Sequence, residues 1–175
     1  RDKWFGRGEP MPVAVSFGHD PAIFMGGAAS QPYGVSEYEH AGALKGEAIE
    51  VMRGPITGLP IPAHSEIVIE GYLHPGDLLP EGPFGEWTGY YASDERPEPV
   101  IRIKGLYHRT NPIILGQPPG KPTRAPVSTF TNPARVHEAL EKAGMVGISS
   151  VWCHEVGGGR CFTVVGINQR YAGHA

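Results

Sequence analysis

Hydrophobic residues along this chain recur in short runs with a period near two, which is the pattern of β-strands. Such runs cover residues 12–17, 47–52, 65–73 and 99–108, and a shorter one covers 113–115 and could pair with the run before it. The run at 99–108 alternates well, so one face of its sheet should be wet. The sequence HPGD at 74–77 predicts a turn that ends the strand before it.

Two short helices are predicted between the first two strands. The first covers 22–29 and follows Pro21, a residue suited to the first helical position. The second begins with a capping box, in which Ser36 and Glu39 each accept a hydrogen bond from the backbone amide of the other. This helix should end near Gly46.

The pattern changes in the last third of the chain, where apolar residues take a helical period. Asn132 is the predicted N-cap of this helix, Pro133 its first residue, and Gly144 the glycine that follows its end. Two strands are predicted at 148–156 and 161–168, joined by three consecutive glycines as a hairpin.

These elements predict a β-rich α+β protein with two regions. Residues 1–118 should form a mostly antiparallel unit, interpreted as a small β-barrel with one or two helices. Residues 119–126 have the composition of a linker. Residues 127–175 should begin an α/β layer, which we expect to continue beyond Ala175 or to pack on another chain, since alone it is too short to bury both faces of a sheet.

Composition narrows the classes of partner. The net charge of −3, from 15 basic and 18 acidic residues, argues against nucleic acid or an anionic membrane as the main partner. The sequence holds no apolar run of membrane-spanning length, and its two cysteines form no disulfide framework. We therefore expect a cytoplasmic protein in which Cys153 and Cys161 are free, buried thiols, and they could be cross-strand neighbours.

Two glutamates stand out in the stretch PEGPFGEWTGYY, residues 80–91. Glu81 and Glu86 lie among glycines and aromatic residues. Apolar neighbours and mutual repulsion can keep a proton on one carboxylate while the other is ionised, which a general acid requires. The alternative is a solvated turn that carries two ordinary surface acids.

Two further acids, Glu37 and Glu70, lie in predicted elements. Glu37 occupies the first position of the capped helix, where the helix dipole alone favours a carboxylate. The alternative is that Glu37 serves as a ligand for a metal ion or a phosphate-linked group. His40 lies three residues on, on the same face. Glu70 lies in a predicted strand and is expected to face outward.

Four stretches in order resemble the UbiD family of decarboxylases. They are PVAVSFGHDPA, GVSEYEHAGALKGE, IPAHSEIVIEGYLHPGDLLPEGPFGEWTGYY and NQRYAGHA, and together they extend over nearly the whole chain. The resemblance implies a split β-barrel like that of flavin reductases, followed by an α/β region. It also implies prenylated FMN, a divalent metal such as Mn2+, and K+ as cofactors, and reversible decarboxylation of aromatic or α,β-unsaturated carboxylic acids in a homo-oligomeric enzyme.

The resemblance assigns roles residue by residue. Glu37 in SEYEHAG matches the metal-binding glutamate of the family. Glu81 and Glu86 in EGPFGE match its two catalytic acids, with Glu86 as the proton donor. The backbone around Gly26, Gly27 and Ala29 is expected near the potassium ion and the cofactor phosphate.

The family's catalytic arginine, and the asparagine and histidine near its metal, would belong to sequence preceding Arg1. We therefore expect little decarboxylation from the isolated chain. Three alternatives remain: an FMN-binding split-barrel oxidoreductase, which needs no acid pair; a glycosidase, which needs its two carboxylates roughly 5 or 6.5–9.5 Å apart; and a non-catalytic subunit or fragment of a split decarboxylase. The sequence leaves open which acid is the substrate.

Overall fold

A computed structural model describes residues 1–29, 31–86, 89–116 and 126–174. The chain divides into two compact units: residues 1–81 with 96–116, and residues 82–95 with 117–175. Compared with the first predicted region, residues 1–118, the first unit ends at residue 116 and leaves out the segment 82–95, which groups with the second unit. The predicted linker at 119–126 lies outside the described residues apart from Pro126, and the predicted domain boundaries stay a prediction.

The first unit contains three short helices and five strands. They are α1 (Asp2–Phe5), β1 (Met11–Phe17), α2 (Pro21–Ala28), α3 (Glu37–Lys45), β2 (Val51–Arg53), β3 (Pro60–Pro62), β4 (Ile67–Glu81) and β5 (Arg96–His108). The second unit contains α4 (Pro126–Lys142), β6 (Ile148–Cys153), a 3-10 turn (Glu155–Gly157) and β7 (Thr163–Ile167).

All the strands of the described chain pair in the antiparallel sense, in three separate sheets. The strands β1, β4 and β5 form one sheet in that order, β2 pairs with β3, and β6 pairs with β7. The strands predicted at 12–17, 65–73 and 99–108 all belong to the first sheet. The prediction of a β-rich α+β fold with antiparallel sheets is therefore confirmed.

The predicted end of the third strand at 74–77 is wrong, because β4 continues to Glu81. Leu73 pairs with Ile101 and Leu78 with Pro99, so four residues of β4 face one residue of β5. A bulge of this kind holds turn-forming residues without ending the strand. The Asp77 carboxylate closes it by accepting two hydrogen bonds of 2.6 Å from the Arg102 guanidinium on β5.

Of two other predicted strands, one is shorter than predicted and one is absent. The run at 47–52 yields only β2, which begins at Val51, although α3 ends at Lys45 and Gly46 follows it as predicted. The run at 113–115 forms no strand, and its three side chains are exposed. The Ile113 amide donates to the Glu66 carboxylate instead of to a neighbouring strand.

The last helix begins earlier than the sequence predicts. Helix α4 starts at Pro126, so Asn132 does not cap it and Pro133 lies inside it. The Asn132 side chain instead donates to the Gly159 carbonyl at 2.7 Å. An Asn followed by Pro is typical of a helix start, but here a tertiary contact uses the Asn and the helix tolerates the missing amide of Pro133.

The hairpin after α4 is confirmed, since β6 and β7 pair antiparallel. Both cysteines are free as predicted, but only Cys153 is buried and Cys161 is exposed. Cys153 lies opposite Thr163, so the two thiols are not cross-strand neighbours.

Glu70 is fully buried, with 0% of its surface exposed, so the prediction that it faces outward is wrong. Its strand neighbours are Ala14 on β1 and Gly105 on β5. The turn at 54–59, between β2 and β3, covers its carboxylate, which accepts hydrogen bonds from the Ile56 amide at 3.3 Å and the Thr57 amide at 2.8 Å. The alternation of β4 defines two faces, but only the fold decides that this one is covered.

The charge of Glu70 is stabilised by these donors. Burial favours the neutral acid, but the hydroxyl and amide of Thr57, the amide of Ile56 and the Tyr107 hydroxyl together lower the pKa of Glu70 below its usual value of 4.5. The site is also tight, since a Cβ at Gly54 would lie 2.3 Å from Glu70 Oε1.

In the part of the chain that the structure describes, no helix combines the length and apolar composition that crossing a bilayer requires.

The Glu70→Gln substitution should lower the free energy of unfolding at pH 7 by about 2 kcal/mol, because an amide cannot satisfy the same donors. The pKa of Glu70 is lower in the folded than in the unfolded chain, so its contribution is present above pH 4.5 and lost as the pH falls through the folded value. Urea unfolding from pH 7 to pH 3 should show the wild type and the variant converging. The matched control is Glu98→Gln on β5, and a constant difference across the pH range would contradict the assignment.

Candidate functional site

Helix α3 begins with the predicted capping box. The Ser36 hydroxyl accepts a hydrogen bond from the Tyr38 amide at 3.2 Å, and the Ser36 amide donates to Glu39 Oε2 at 3.3 Å. Glu37 is the first helical residue, and its side chain is free of the capping contacts. The local sequence therefore fixes the helix start that carries the Glu37 carboxylate.

Helix α2 lies against α3 in the antiparallel sense. At one end, the Asp20 carboxylate accepts from the Ala22 amide at 2.8 Å and lies 3.3 Å from Lys45 Nζ. The Ala22 hydrogen bond, and after it Lys45, hold the pKa of Asp20 below its usual range despite some burial. At the other end, a Cβ on Gly26 would lie 2.8 Å from the Glu37 carbonyl oxygen, so the missing side chain lets the helices meet.

A cavity of about 460 Å³ opens beside the start of α3. It is lined by residues from β1, the turn after it, α2 and α3: Ser16, His19, Ile23, Phe24, Gly27, Ala28, Glu37 and Tyr38. Two predicted site residues, Glu37 and Gly27, thus share one cavity. A Cβ at Gly27 would meet nothing within 4 Å, so the space beside it is open.

The other predicted residues near this site have different surroundings. Gly26 is buried in the contact between α2 and α3. Ala29 follows the end of α2 in extended conformation, and its amide donates to the Gly26 carbonyl at 3.3 Å. Neither residue lines the cavity, nor does His40.

Among the lining residues that the sequence did not predict, Tyr38 and His19 make side-chain hydrogen bonds. The Tyr38 hydroxyl donates to the Pro60 carbonyl at 3.1 Å, and burial, followed by the nearby Glu37 charge, raises the pKa of Tyr38 above its usual value, so it stays a donor. His19 Nδ1 lies 3.3 Å from the Asp20 carbonyl, which only accepts, so Nδ1 is assigned the proton in this contact. The sequence signal for His19 was its place between a strand and a helix.

The residues present fit one part of a metal site. Glu37 offers the hard oxygen that a divalent cation prefers, but such a cation takes six or more ligands. Among the described residues, no three His, Cys, Asp or Glu side chains converge as a metal site. Glu37 can therefore hold a cation only together with ligands from elsewhere.

The two predicted catalytic acids are both exposed. Glu81 is the last residue of β4 and lies opposite Arg96 of β5, in the first unit. Glu86 belongs to the second unit, where its amide donates to the Tyr90 carbonyl at 2.9 Å and its carbonyl accepts from the Gly89 amide at 2.8 Å.

Fold and site together define an α+β domain with a cavity at a capped helix start. Residues 1–122 match the UbiD family, described as the 3-octaprenyl-4-hydroxybenzoate carboxy-lyase Rift-related domain. Since this match covers more than half of the chain, the chain belongs to the UbiD family.

Solved structures of UbiD-class enzymes resemble this chain closely. An evolved dimeric form of HmfF from Pelotomaculum thermopropionicum, in complex with prFMN, matches with a TM-score of 0.89 and 28% identity over 99% of this chain and 40% of that one. Vanillic acid decarboxylase from Sedimentibacter hydroxybenzoicus matches with a TM-score of 0.83 and 29% identity, over 99% of this chain and 37% of that one.

A third match is the 3,4-dihydroxybenzoic acid decarboxylase of Enterobacter cloacae, with a TM-score of 0.80 and 28% identity. It covers 98% of this chain and 37% of that one. The chain therefore spans about two fifths of the length of the enzymes that it matches.

Adjacent glycines of α2 should respond oppositely to the same substitution. Gly26→Ala should destabilise the chain by about 1–3 kcal/mol, because the added methyl group meets the Glu37 carbonyl and Ala41. Gly27→Ala should stabilise it by about 0.5–1 kcal/mol, because its Cβ enters open space and alanine favours the helix. Urea unfolding followed by circular dichroism measures both, and equal effects would contradict the described packing.

Proposed function

We propose that this chain is part of a UbiD-class carboxy-lyase, which decarboxylates aromatic or α,β-unsaturated carboxylic acids with prenylated FMN. The observation that carries the proposal is the cavity at the start of α3, which Glu37 and Gly27 both line. Family membership and the prFMN in the HmfF complex support it.

In this proposal the cavity takes the charged, non-reacting end of the cofactor. Glu37 contributes a carboxylate oxygen to the divalent metal, proposed as Mn2+, that balances the phosphate. The open space beside Gly27 leaves room for the phosphate tail, and the backbone at Gly26 to Ala29 is proposed to lie near K+. Ile23 and Phe24 supply part of the apolar lining of the cavity.

Prenylated FMN, when bound, supplies the electron sink that loss of CO2 from an unsaturated acid requires. The contribution of this chain to the reaction is then a proton. The substrate carboxylate leaves as CO2, and the carbon that carried it takes one proton from the carboxyl group of Glu86. Water from solvent returns a proton to Glu86, and Glu81 is proposed to stay ionised as the partner of an arginine.

A subunit or fragment without activity of its own is a second candidate. One observation favours it: among the described residues, Glu37 belongs to no group of three His, Cys, Asp or Glu side chains that could hold a metal ion. In that case the same residues act only when another polypeptide supplies the remaining ligands.

Binding of FMN tests the proposed role of the cavity. FMN fluorescence titrated with this chain in the presence of MnCl2 should give a dissociation constant at least about tenfold higher for Glu37→Gln than for the wild type, since an amide is a poor ligand for a hard cation. Glu47→Gln, just beyond the end of α3, is the matched control and should bind like the wild type. Unchanged binding by Glu37→Gln would refute the proposed metal ligand.

Decarboxylation tests the role of Glu86. The chain alone should release little or no CO2 from a benzoic- or cinnamic-type acid with prenylated FMN. When activity is reconstituted with the N-terminal part of a UbiD-class enzyme, Glu86→Gln should lower kcat by about 10²–10⁴-fold, the usual effect of removing a general acid.

The control for that experiment is Glu95→Gln, an exposed acid of the same segment, which should leave kcat unchanged. Equal activity of the wild type and Glu86→Gln would show that the proton comes from another group.

A further inference from the structure

We infer that Glu70 is a positioning residue for the Glu37 site, acting through the turn at 54–59 and the hydroxyl of Tyr38. The inference rests on the proposed function in one respect, namely that Glu37 faces a cation. It concerns a residue that contributes nothing to the lining of the cavity. All the contacts involved lie within the first compact unit.

The first step is the set of hydrogen bonds between Glu70 and the turn. Its buried carboxylate accepts the amides of Ile56 and Thr57, and the Thr57 hydroxyl donates to the same oxygen as the Thr57 amide. The Tyr72 hydroxyl, also from β4, donates to the Ile56 carbonyl at 3.3 Å. Both the donors and the acceptor at the tip of the turn are therefore bound to β4.

The second step is the connection from the turn to β3. The Gly54 amide donates to the Leu59 carbonyl at 2.8 Å, and the Leu59 amide donates to the Thr57 hydroxyl at 3.3 Å. These bonds close the turn just before Pro60, the first residue of β3. The next two residues, Ile61 and Pro62, are buried, which fixes the strand from its other side.

The third step leads from β3 to the cavity. The Pro60 carbonyl accepts the Tyr38 hydroxyl at 3.1 Å, across 22 positions of sequence. Tyr38 and Glu37 are consecutive in the first turn of α3, and both line the cavity. The capping box holds the backbone of this turn, and the Tyr38 hydroxyl connects the Tyr38 side chain to β3.

The consequence is a chain of hydrogen bonds, joined by the peptide link from Leu59 to Pro60, from a buried carboxylate to the residue beside the proposed metal ligand. Such supporting partners commonly orient a ligand and affect metal affinity by 10–100-fold when removed. Loosening the turn should let Tyr38 and Glu37 sample other orientations and weaken cation binding without removing any ligand.

The test uses the 175-residue chain and Mn2+ alone as the probe. Mn2+ broadens the NMR signals of nearby amides, so it detects weak binding at a single carboxylate. The concentration of MnCl2 that half-broadens the Gly27 and Tyr38 amides reports the affinity at Glu37. Hydrogen exchange of the Ile56 and Thr57 amides reports the turn separately.

Glu70→Gln should speed exchange of the turn amides by about tenfold, the effect of losing one or two net hydrogen bonds. It should raise the half-broadening concentration at least about threefold, while exchange in the sheet of β1, β4 and β5 stays slow. Tyr38→Phe should reproduce the change in Mn2+ affinity and leave the exchange of the turn unchanged. Glu98→Gln, on the same sheet, should change neither quantity.

The outcomes separate this inference from the proposed function. If Glu37→Gln abolishes the broadening but Glu70→Gln and Tyr38→Phe leave it unchanged, the positioning role is refuted and the proposed metal ligand stands. If Glu37→Gln itself has no effect, the proposed function fails. Should Glu70→Gln not fold, Thr57→Val keeps the carboxylate and removes the Thr57 hydroxyl, which is one donor to Glu70 and the acceptor of the Leu59 amide. The same changes, smaller in size, are expected of this variant.

Discussion

A carboxylate that water does not reach must be met by donors, and the first unit of this protein is arranged around that requirement at Glu70. The residue lies in the middle strand of the sheet, fully buried, between Ala14 and Gly105 on its neighbours. Small residues beside it make the space, and the turn at 54–59 supplies the hydrogen bonds. The cost of burying a charge is thereby offset by contacts that also fix the path of the chain.

The cavity also depends on residues without large side chains. Gly26 allows α2 and α3 to meet at the carbonyl of Glu37, while Gly27, one position on, leaves the adjoining space open. The capping box at Ser36 fixes the start of α3. The ion pair between Asp20 and Lys45 joins the start of α2 to the end of α3. A short helix has little intrinsic stability, so these end contacts are what present Glu37 in a defined place.

Several features followed from local sequence because their causes are local. The capping box, the start of α2 at Pro21 and the glycine at the end of α3 all involve residues within four positions of one another. Other features could not be predicted, because their causes lie far along the chain. Asn132 does not cap a helix but donates to the Gly159 carbonyl, 27 residues away. The bulge in β4 is held by the hydrogen bonds between Asp77 and Arg102, which are 25 residues apart.

The sequence by itself determined the β-rich class, the antiparallel strands and the capped helix that carries Glu37, and its motifs pointed to the UbiD family that the comparison confirmed. Period and capping are properties of neighbouring residues, which is why they can be read in one dimension. Only the tertiary structure decided that Glu70 is buried, that Gly27 and Glu37 share a cavity, and that Tyr38 reaches Pro60. Burial and long-range hydrogen bonds arise when distant segments meet, and an alternating strand does not specify which of its faces another segment will cover.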